Sequence, residues 1–285
     1  MSIRRLKTLI AIAEKGSFAG ASEVVHVSQA AVSQQMKSLE EELQVVLFDR
    51  SKRPPELNQQ GLALTAKARE VVHSYDAMLQ SLFGDGALRG QLMLGAVPTT
   101  LSGLVPRTVS ALKMIYPDLG IRIIPGLSAE LMPQVDRSYL DAAIISEPRY
   151  IPNHMNWQPF AAEPLVLLAP FRAPSDDPLE LLATYPYIRF TRRAWVGSLI
   201  DQWLEANQIG VNEAMELDTL ESVSANVFHN LGVSIVPFRS VPSPHPLPVK
   251  RIPLRPTAKS RILGVISRQD CVSYRMIEVL VKELT

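Results

Sequence analysis

"SFAGASEVVHVSQAAVSQQMKSLEEEL", Ser17 to Leu43, holds two short apolar-periodic segments with only three residues between them. Ser17 is a plausible N-cap for the first, with Phe18, Ala21, Val24 and Val25 facing inward. "HVS" reads as a tight turn, and Ser28 caps the helix that follows. There Val32, Met36, Leu39 and Leu43 recur at intervals of four, three and four, which makes one buried stripe. At about 100° per residue, the opposite pole carries Ala30, Ser33, Gln34 and Lys37 at the open N-terminal end of the helix, with Gln29 on its flank. Short and polar groups there suit major-groove readout, and Ser28 joins the candidate set. An amide pairs with adenine N6 and N7, a methyl touches thymine, and a hydroxyl or lysine holds phosphate. Upstream, Leu6, Leu9, Ile10 and Ala13 share one face of another helix, which Gly16 is placed to end. The short turn between the last two helices predicts helix-turn-helix geometry.

A plain three-helix bundle with a solvated polar face has the same periodicity, so the residues that follow decide. After Leu43 come "VVLFDR" and "SKRPPEL", a basic turn with two prolines between short extended segments. This reads as a wing from which Arg50, Lys52 and Arg53 reach backbone phosphates or the minor groove. A merely solvated basic loop loses because the turn directly follows a candidate recognition helix.

These segments resemble the N-terminal domain of LysR-type transcriptional regulators. Gly16-Ser17-Phe18, Ser28-Gln29, Ala31-Val32-Ser33, Leu39-Glu40 and Leu47-Phe48-Asp49-Arg50 match the family pattern in order and spacing over about sixty residues. Gln44 departs from it, standing where the family usually has glycine and suggesting a different turn into the wing. Asn58 replaces the usual threonine, although asparagine caps a helix equally well.

From Asn58 to Phe83 the only glycine is Gly61, and there is no proline. Leu64, Ala68, Val71, Tyr75, Met78 and Leu82 follow a 4-3-4-3-4 spacing, the seam of a coiled coil. A helix of about 25 residues extends nearly 40 Å at about 1.5 Å per residue, and it cannot bury such a stripe alone. Packing against its own C-terminal domain competes with a partner helix, and the partner is favoured. The family resemblance implies the same pairing, in a homodimer or homotetramer whose reading heads face half-sites about a two-fold axis. "GDGALRG", Gly84 to Gly90, marks a hinge.

Beyond Gly90 the pattern alternates strands and helices, predicting mostly parallel sheets covered on both faces. The expected architecture is α/β: a winged helix-turn-helix domain over residues 1–58, a linker helix and hinge over 59–86, and an effector domain over 87–285. By resemblance that last domain is a two-lobed, periplasmic-binding-protein-like unit. Lobe one takes about 91–160 and 265–285, and lobe two 161–264. Ligands of open α/β sheets sit at the carboxyl ends of strands, beside helix N-termini. Thr99, Thr100 and Ser102 lie at the first such end and form a candidate cradle for an anionic effector, although ordinary N-capping needs only one of them. Ser128 holds the same position after the next strand, with the same ambiguity. Phe190, Thr191, Arg192 and Arg193 follow a lobe-two strand and are candidates to face the cleft, with a solvated basic loop accounting for at least one arginine. Glu147 and Arg149 sit at the expected crossover and are equally able to pair with one another.

Net charge is +1, so any nucleic-acid surface must be local. Cys271 is the only cysteine, which excludes an internal disulfide and a cysteine zinc site. The five histidines are scattered without ligand spacing, and no nucleophile elbow, phosphate loop or zinc-protease motif occurs. No signal peptide or membrane span is apparent, so a cytoplasmic protein is expected. Neither an enzyme on a two-lobed fold nor a transporter's solute-binding protein explains the reading head. The expected function is effector-controlled, sequence-specific DNA binding without a cofactor or metal. The expected partners are double-stranded DNA, a small-molecule effector and a second copy of the chain, with RNA polymerase a further candidate.

Overall fold

The structure, a computed structural model, describes residues 2–81, 90–254, 258–271 and 273–285. It divides into two compact units that meet in sequence near Gly90.

In the first unit, α1 (Ile3–Lys15) is closed by Gly16 in the left-handed region at φ 65°. Ser17 then caps α2 (Phe18–Val24), accepting a hydrogen bond from the Gly20 amide at 3.0 Å. Ser28 caps α3 (Gln29–Leu43) through the Ala31 amide at 3.2 Å. Two short antiparallel strands, β1 (Phe48–Asp49) and β2 (Glu56–Leu57), form the wing before α4 (Gln59–Ser81). Leu6, Leu9, Ile12, Ala21, Val32, Met36, Leu39, Leu47, Phe48 and Ala68 make one core. On α1 that core takes Ile12, while Ile10 and Ala13 are only half-buried. Val24, expected inward, is exposed. Measured from buried Ala21, Val25 and Phe18 lie about 40° and 60° to one side and Val24 about 60° to the other, so the core reaches only the first pair. Phe18 also locks to Phe48, with ring centroids 5.0 Å apart.

Asn58 joins the wing to α4 by accepting the Gly61 amide at 2.8 Å and donating to the Val46 carbonyl at 2.8 Å. Gly61 is required here, because a Cβ would lie 2.3 Å from the Leu47 carbonyl oxygen.

In the second unit, lobe one holds β3 (Gly90–Ala96), a 3-10 turn at Pro98–Thr100, α5 (Leu104–Ile115), β4 (Leu119–Pro125), α6 (Ser128–Asp136), β5 (Ala142–Ser146) and β6 (Met155–Glu163). Lobe two holds β7 (Leu165–Pro170), α7 (Pro178–Thr184), β8 (Tyr187–Phe190), α8 (Trp195–Ala206), β9 (Glu213–Leu217), α9 (Leu220–Phe228), β10 (Ser234–Pro237) and β11 (Val249–Pro253). The chain then returns to lobe one as β12 (Arg261–Arg268) and α10 (Tyr274–Leu284). The lobe-one sheet runs β4-β3-β5-β12-β6. In lobe two, β10-β7-β11 adjoins the parallel pair β8-β9 through a bridge from Tyr187 to Val233.

The sheets are mixed rather than mostly parallel. β3 and β5 pair in parallel, but β12 runs antiparallel to both β5 and β6, and β7 runs antiparallel to both β10 and β11. A strand returning from the other lobe enters at the cleft and points the opposite way. The crossings also fall elsewhere than expected, at Pro164 and just before Arg261, so Ala161–Glu163 and Arg261–Gly264 belong to the lobe-one sheet. Pro159 disguises β6 in the sequence; it is tolerated because β6 is an edge strand whose register shifts opposite Gly264.

Gln44 ends α3 at φ 54°, a left-handed conformation that glycine adopts without strain. Gln44→Gly is expected to stabilise the first unit by about 1 kcal/mol. Thermal unfolding followed by circular dichroism checks this, and an unchanged or lowered transition would refute it.

Candidate nucleic-acid interface and effector cleft

On α3, burial of Val32, Met36 and Leu39 fixes the helix's rotation and leaves Ser28, Gln29, Ala30, Ser33, Gln34 and Lys37 all exposed on one end. The next amide along, Gln35, is turned away from that face: its Oε1 accepts the Thr8 hydroxyl at 2.6 Å. Lys37 lies 3.8 Å from Glu41 with both side chains mostly exposed, a pairing too weak to restrain it.

Glu40, on the flank of α3 between the buried stripe and the exposed pole, anchors the wing. One carboxylate oxygen accepts the backbone amides of Leu47 at 2.8 Å and Phe48 at 3.3 Å, and the other accepts the Arg50 guanidinium at 2.7 Å. Lys52 pairs with Glu56 at 2.6 Å, which holds its ammonium pKa above the ordinary value. Asp49 accepts the Ser51 hydroxyl and amide, and these bonds hold its carboxyl below the usual carboxylate range. Arg53 is exposed and carries no ion pair among the described residues. Of the three wing cations, Arg53 alone is thus unengaged.

The linker-helix seam divides. Ala68 is 1% exposed and Leu64 half-buried, both in the first unit's own core. α1 packs along this end of α4, where Arg69 bonds Glu14 at 2.8 Å and Lys7 bonds Asp76 at 3.0 Å. Val71, Tyr75 and Met78 are exposed at 43%, 38% and 54%. Leu82 lies outside the described residues.

In the second unit, the cleft between the lobes brings together Thr99, Ser128 and Phe190 with Val97, Ser146, Asp218 and Arg261. They surround a space of only about 20 Å³, the size of a water molecule. The three hydroxyls at the first strand end separate into different roles. Thr100 donates to the Val97 carbonyl at 2.8 Å, a local cap. Ser102 donates to Glu221 of lobe two at 2.9 Å and accepts from Arg239 at 3.0 Å. Thr99 alone of the three lines the cleft, accepting from Arg261 at 3.0 Å. Ser128 accepts the Ser146 amide at 3.1 Å and stays in the lining.

The lobe-two candidates also separate. Thr191 is buried and accepts the Arg193 amide at 3.2 Å. Arg192 is held in a fork by Glu213 at 2.7 and 2.9 Å and reaches Glu216 at 2.7 Å, outside the cleft lining. Its hydrogen bonds keep both glutamates below the usual carboxylate range. Arg193 instead crosses to lobe one and bonds Glu130 at 2.6 Å. Glu147 is exposed and does not line the cleft.

Two residues absent from the sequence-derived set organise this site. Glu163 ends β6, Arg261 opens β12, and the two are direct cross-strand partners, joined by a salt bridge with only 3% and 2% of the side chains exposed. The other Glu163 oxygen accepts the Ser240 amide of lobe two at 2.8 Å. The signal was a charge against the edge of each apolar run, Glu163 in "FAAEPLVLL" and Arg261 in "SRILGVIS". Elsewhere, burial and the nearby Asp141 push the Cys271 thiol up to about 12, away from thiolate chemistry at neutral pH. Among the described residues no cluster of three His, Cys, Asp or Glu side chains suits a metal ion, and no helix is long and apolar enough to cross a membrane.

A reading head and an effector cleft on one chain define a ligand-responsive regulator. Residues 85–285 match the LysR substrate binding domain, and residues 3–69 match the bacterial regulatory helix-turn-helix protein of the lysR family. The chain belongs to the LysR family and is a DNA-binding transcriptional regulator controlled through its effector-binding domain. A relative from Synechocystis sp., named "Probable RuBisCO transcriptional regulator", is 27% identical over 93% of this chain and 80% of its own length. YbhD of Escherichia coli, an uncharacterized HTH-type transcriptional regulator, is 26% identical over 94% of this chain and 86% of its own. A full-length OxyR variant from Pseudomonas aeruginosa superposes with TM-score 0.76 at 26% identity, covering 100% of this chain and 94% of that one. CbnR in complex with its target DNA shares the fold with TM-score 0.63 at 21% identity, covering 99% and 100%.

Glu163→Gln leaves a buried guanidinium without its counter-charge and is expected to destabilise the second unit by about 3 kcal/mol. Adding Arg261→Met should return most of that loss. All three tryptophans, Trp157, Trp195 and Trp203, lie in this unit, so urea unfolding followed by tryptophan fluorescence reads it directly. A single variant as stable as wild type would show that the pair is not a structural pivot.

Proposed function

We propose that α3 enters the major groove with Gln34, Gln29, Ser33 and Ala30 against base edges, while Ser28, Lys37 and the wing hold phosphate. The observation that carries this reading is the contrast between neighbouring amides: Gln35 is tied to Thr8, whereas Gln34 is exposed and unengaged at the helix's open end. Arg53 is the wing's primary phosphate contact; Arg50 and Lys52 serve it in exchange for their bonds to Glu40 and Glu56.

Gln34→Ala is expected to weaken operator binding about 10- to 100-fold while leaving binding to unrelated DNA unchanged. Arg53→Ala should weaken binding to both DNAs alike and reduce the salt-dependence slope by about 1. Binding isotherms at several salt concentrations separate the two. Equal loss on both DNAs for Gln34→Ala, or an unaltered slope for Arg53→Ala, would contradict the assignment.

The chain acts as a homodimer or homotetramer in the cytoplasm, with Val71, Tyr75 and Met78 as the face offered to a second α4. RNA polymerase is a further partner of the bound regulator, and the chain has no catalytic role. Tyr75→Glu is expected to shift the protein toward monomer in sedimentation velocity without lowering its melting temperature. An unaltered oligomer would place the pairing surface elsewhere.

The effector is a small polar molecule held by Thr99, Ser128 and Ser146 and by the backbone amides beside them. Arg261 is already neutralised by Glu163, so the cleft supplies no free cation for a strongly anionic ligand. Its water-sized space requires the lobes to part before such a molecule enters, which exchanges the Arg193–Glu130 and Ser102–Glu221 bonds for effector contacts. The effector thereby biases lobe closure and, through α4, the spacing of the two reading heads.

A further inference from the structure

A second cavity lies wholly within lobe two, with a volume of about 750 Å³ and no residue in common with the cleft. Its floor is one face of the sheet. Val166 and Leu168 alternate along β7, Val236 of β10 pairs with Val166, and Arg251 of β11 pairs with Leu168. Leu220 and Ser224 of α9 form a side wall, and the proline-rich stretch from Pro237 to Leu247 closes over the rest. A space of this size falls in the range of small-molecule sites, which are apolar with a few placed polar groups.

The charges at this cavity are lopsided. Arg239, His245 and Arg251 line it against the single carboxylate of Glu221. Arg239 already occupies Glu221 at 2.6 Å, and this pairing holds the Glu221 carboxyl below the usual range although burial opposes its ionisation. Arg251, on the edge strand β11 opposite Leu168, is exposed, and its side chain has no ion pair or hydrogen bond among the described residues. A guanidinium beside an apolar cavity, unmatched by any carboxylate among the described residues, complements a ligand with an apolar body and one anionic head.

We propose that this cavity binds an apolar monocarboxylate, with the hydrocarbon against Val166, Leu168, Val236 and Leu220 and the carboxylate on Arg251. The proposal goes beyond the cleft reading and is independent of it, because the two sites share no residue.

The test is calorimetric titration of the full chain, without DNA, with octanoate and with 1-octanol. Octanoate should bind saturably with one site per chain, and 1-octanol about tenfold more weakly or not at all. Arg251→Gln should weaken octanoate about tenfold and leave 1-octanol unchanged. Filling the cavity by Ser224→Trp should abolish binding, and Ser243→Trp, on the covering loop, does the same should the first variant misfold. Absence of saturable octanoate binding would overturn the proposal, as would equal binding of octanol. Binding that survives both tryptophan variants but is lost in Thr99→Val would place octanoate in the cleft and equally overturn it. Since no DNA is present, any of these failures leaves the operator-binding reading intact.

Discussion

Two opposite charges are shut away from water where the chain passes from one lobe of the effector domain to the other and back. Removing both from solvent is expensive, and the pair of Glu163 and Arg261 is tolerable because each guanidinium nitrogen and each carboxylate oxygen has a partner. Arg261 reaches Thr99 in lobe one, while Glu163 reaches Ser240 in lobe two. A one-residue slip of β12 against β6 would turn Arg261 to the other face of the sheet and leave both charges unpaired. The pair therefore fixes the register of the two crossing strands, and with it the place of Thr99 at the base of the cleft.

The reading head follows the same logic on a smaller scale. Three buried residues on α3 set which way its polar end faces, but they do not fix the wing relative to that face. Glu40 does, because a single carboxylate gathers two wing amides and Arg50. Gly61 then lets α4 approach the Leu47 carbonyl closely enough for Asn58 to bond both sides of the junction. The helix, the wing and the start of the linker helix become one rigid body.

The helices of the reading head were legible because local signals agree there: Gly16, Ser17, Ser28 and Asn58 sit at caps or turns, and the stripe on α3 has one period. The exposed pole of α3 followed from that period alone. The linker stripe was legible only as apolar spacing, which does not reveal that Ala68 and Leu64 enter the first unit's core while Val71, Tyr75 and Met78 are exposed. The candidate effector residues were harder to read, since their contacts depend on what lies across the cleft. Thr99, Thr100 and Ser102 look alike in sequence yet bond Arg261, a local carbonyl and lobe two respectively. Glu163 and Arg261 are 98 residues apart, and only the antiparallel return of β12 makes them neighbours.

The contacts between the lobes differ greatly in strength, and their arrangement bears on the proposed opening of the cleft. Arg193 and Glu130, at the mouth, are 75% and 47% exposed, so water and salt replace their attraction at little cost. Glu221 is half-exposed where it meets Arg239 and Ser102, and it too can exchange partners for solvent. The crossing pair cannot, because no water reaches either charge. In the proposed mechanism, opening about that point would break weak bonds at the rim and none at the pivot. A ligand with a few well-made hydrogen bonds, each contributing about 1 kcal/mol, then suffices to move the balance between open and closed lobes without threatening the fold.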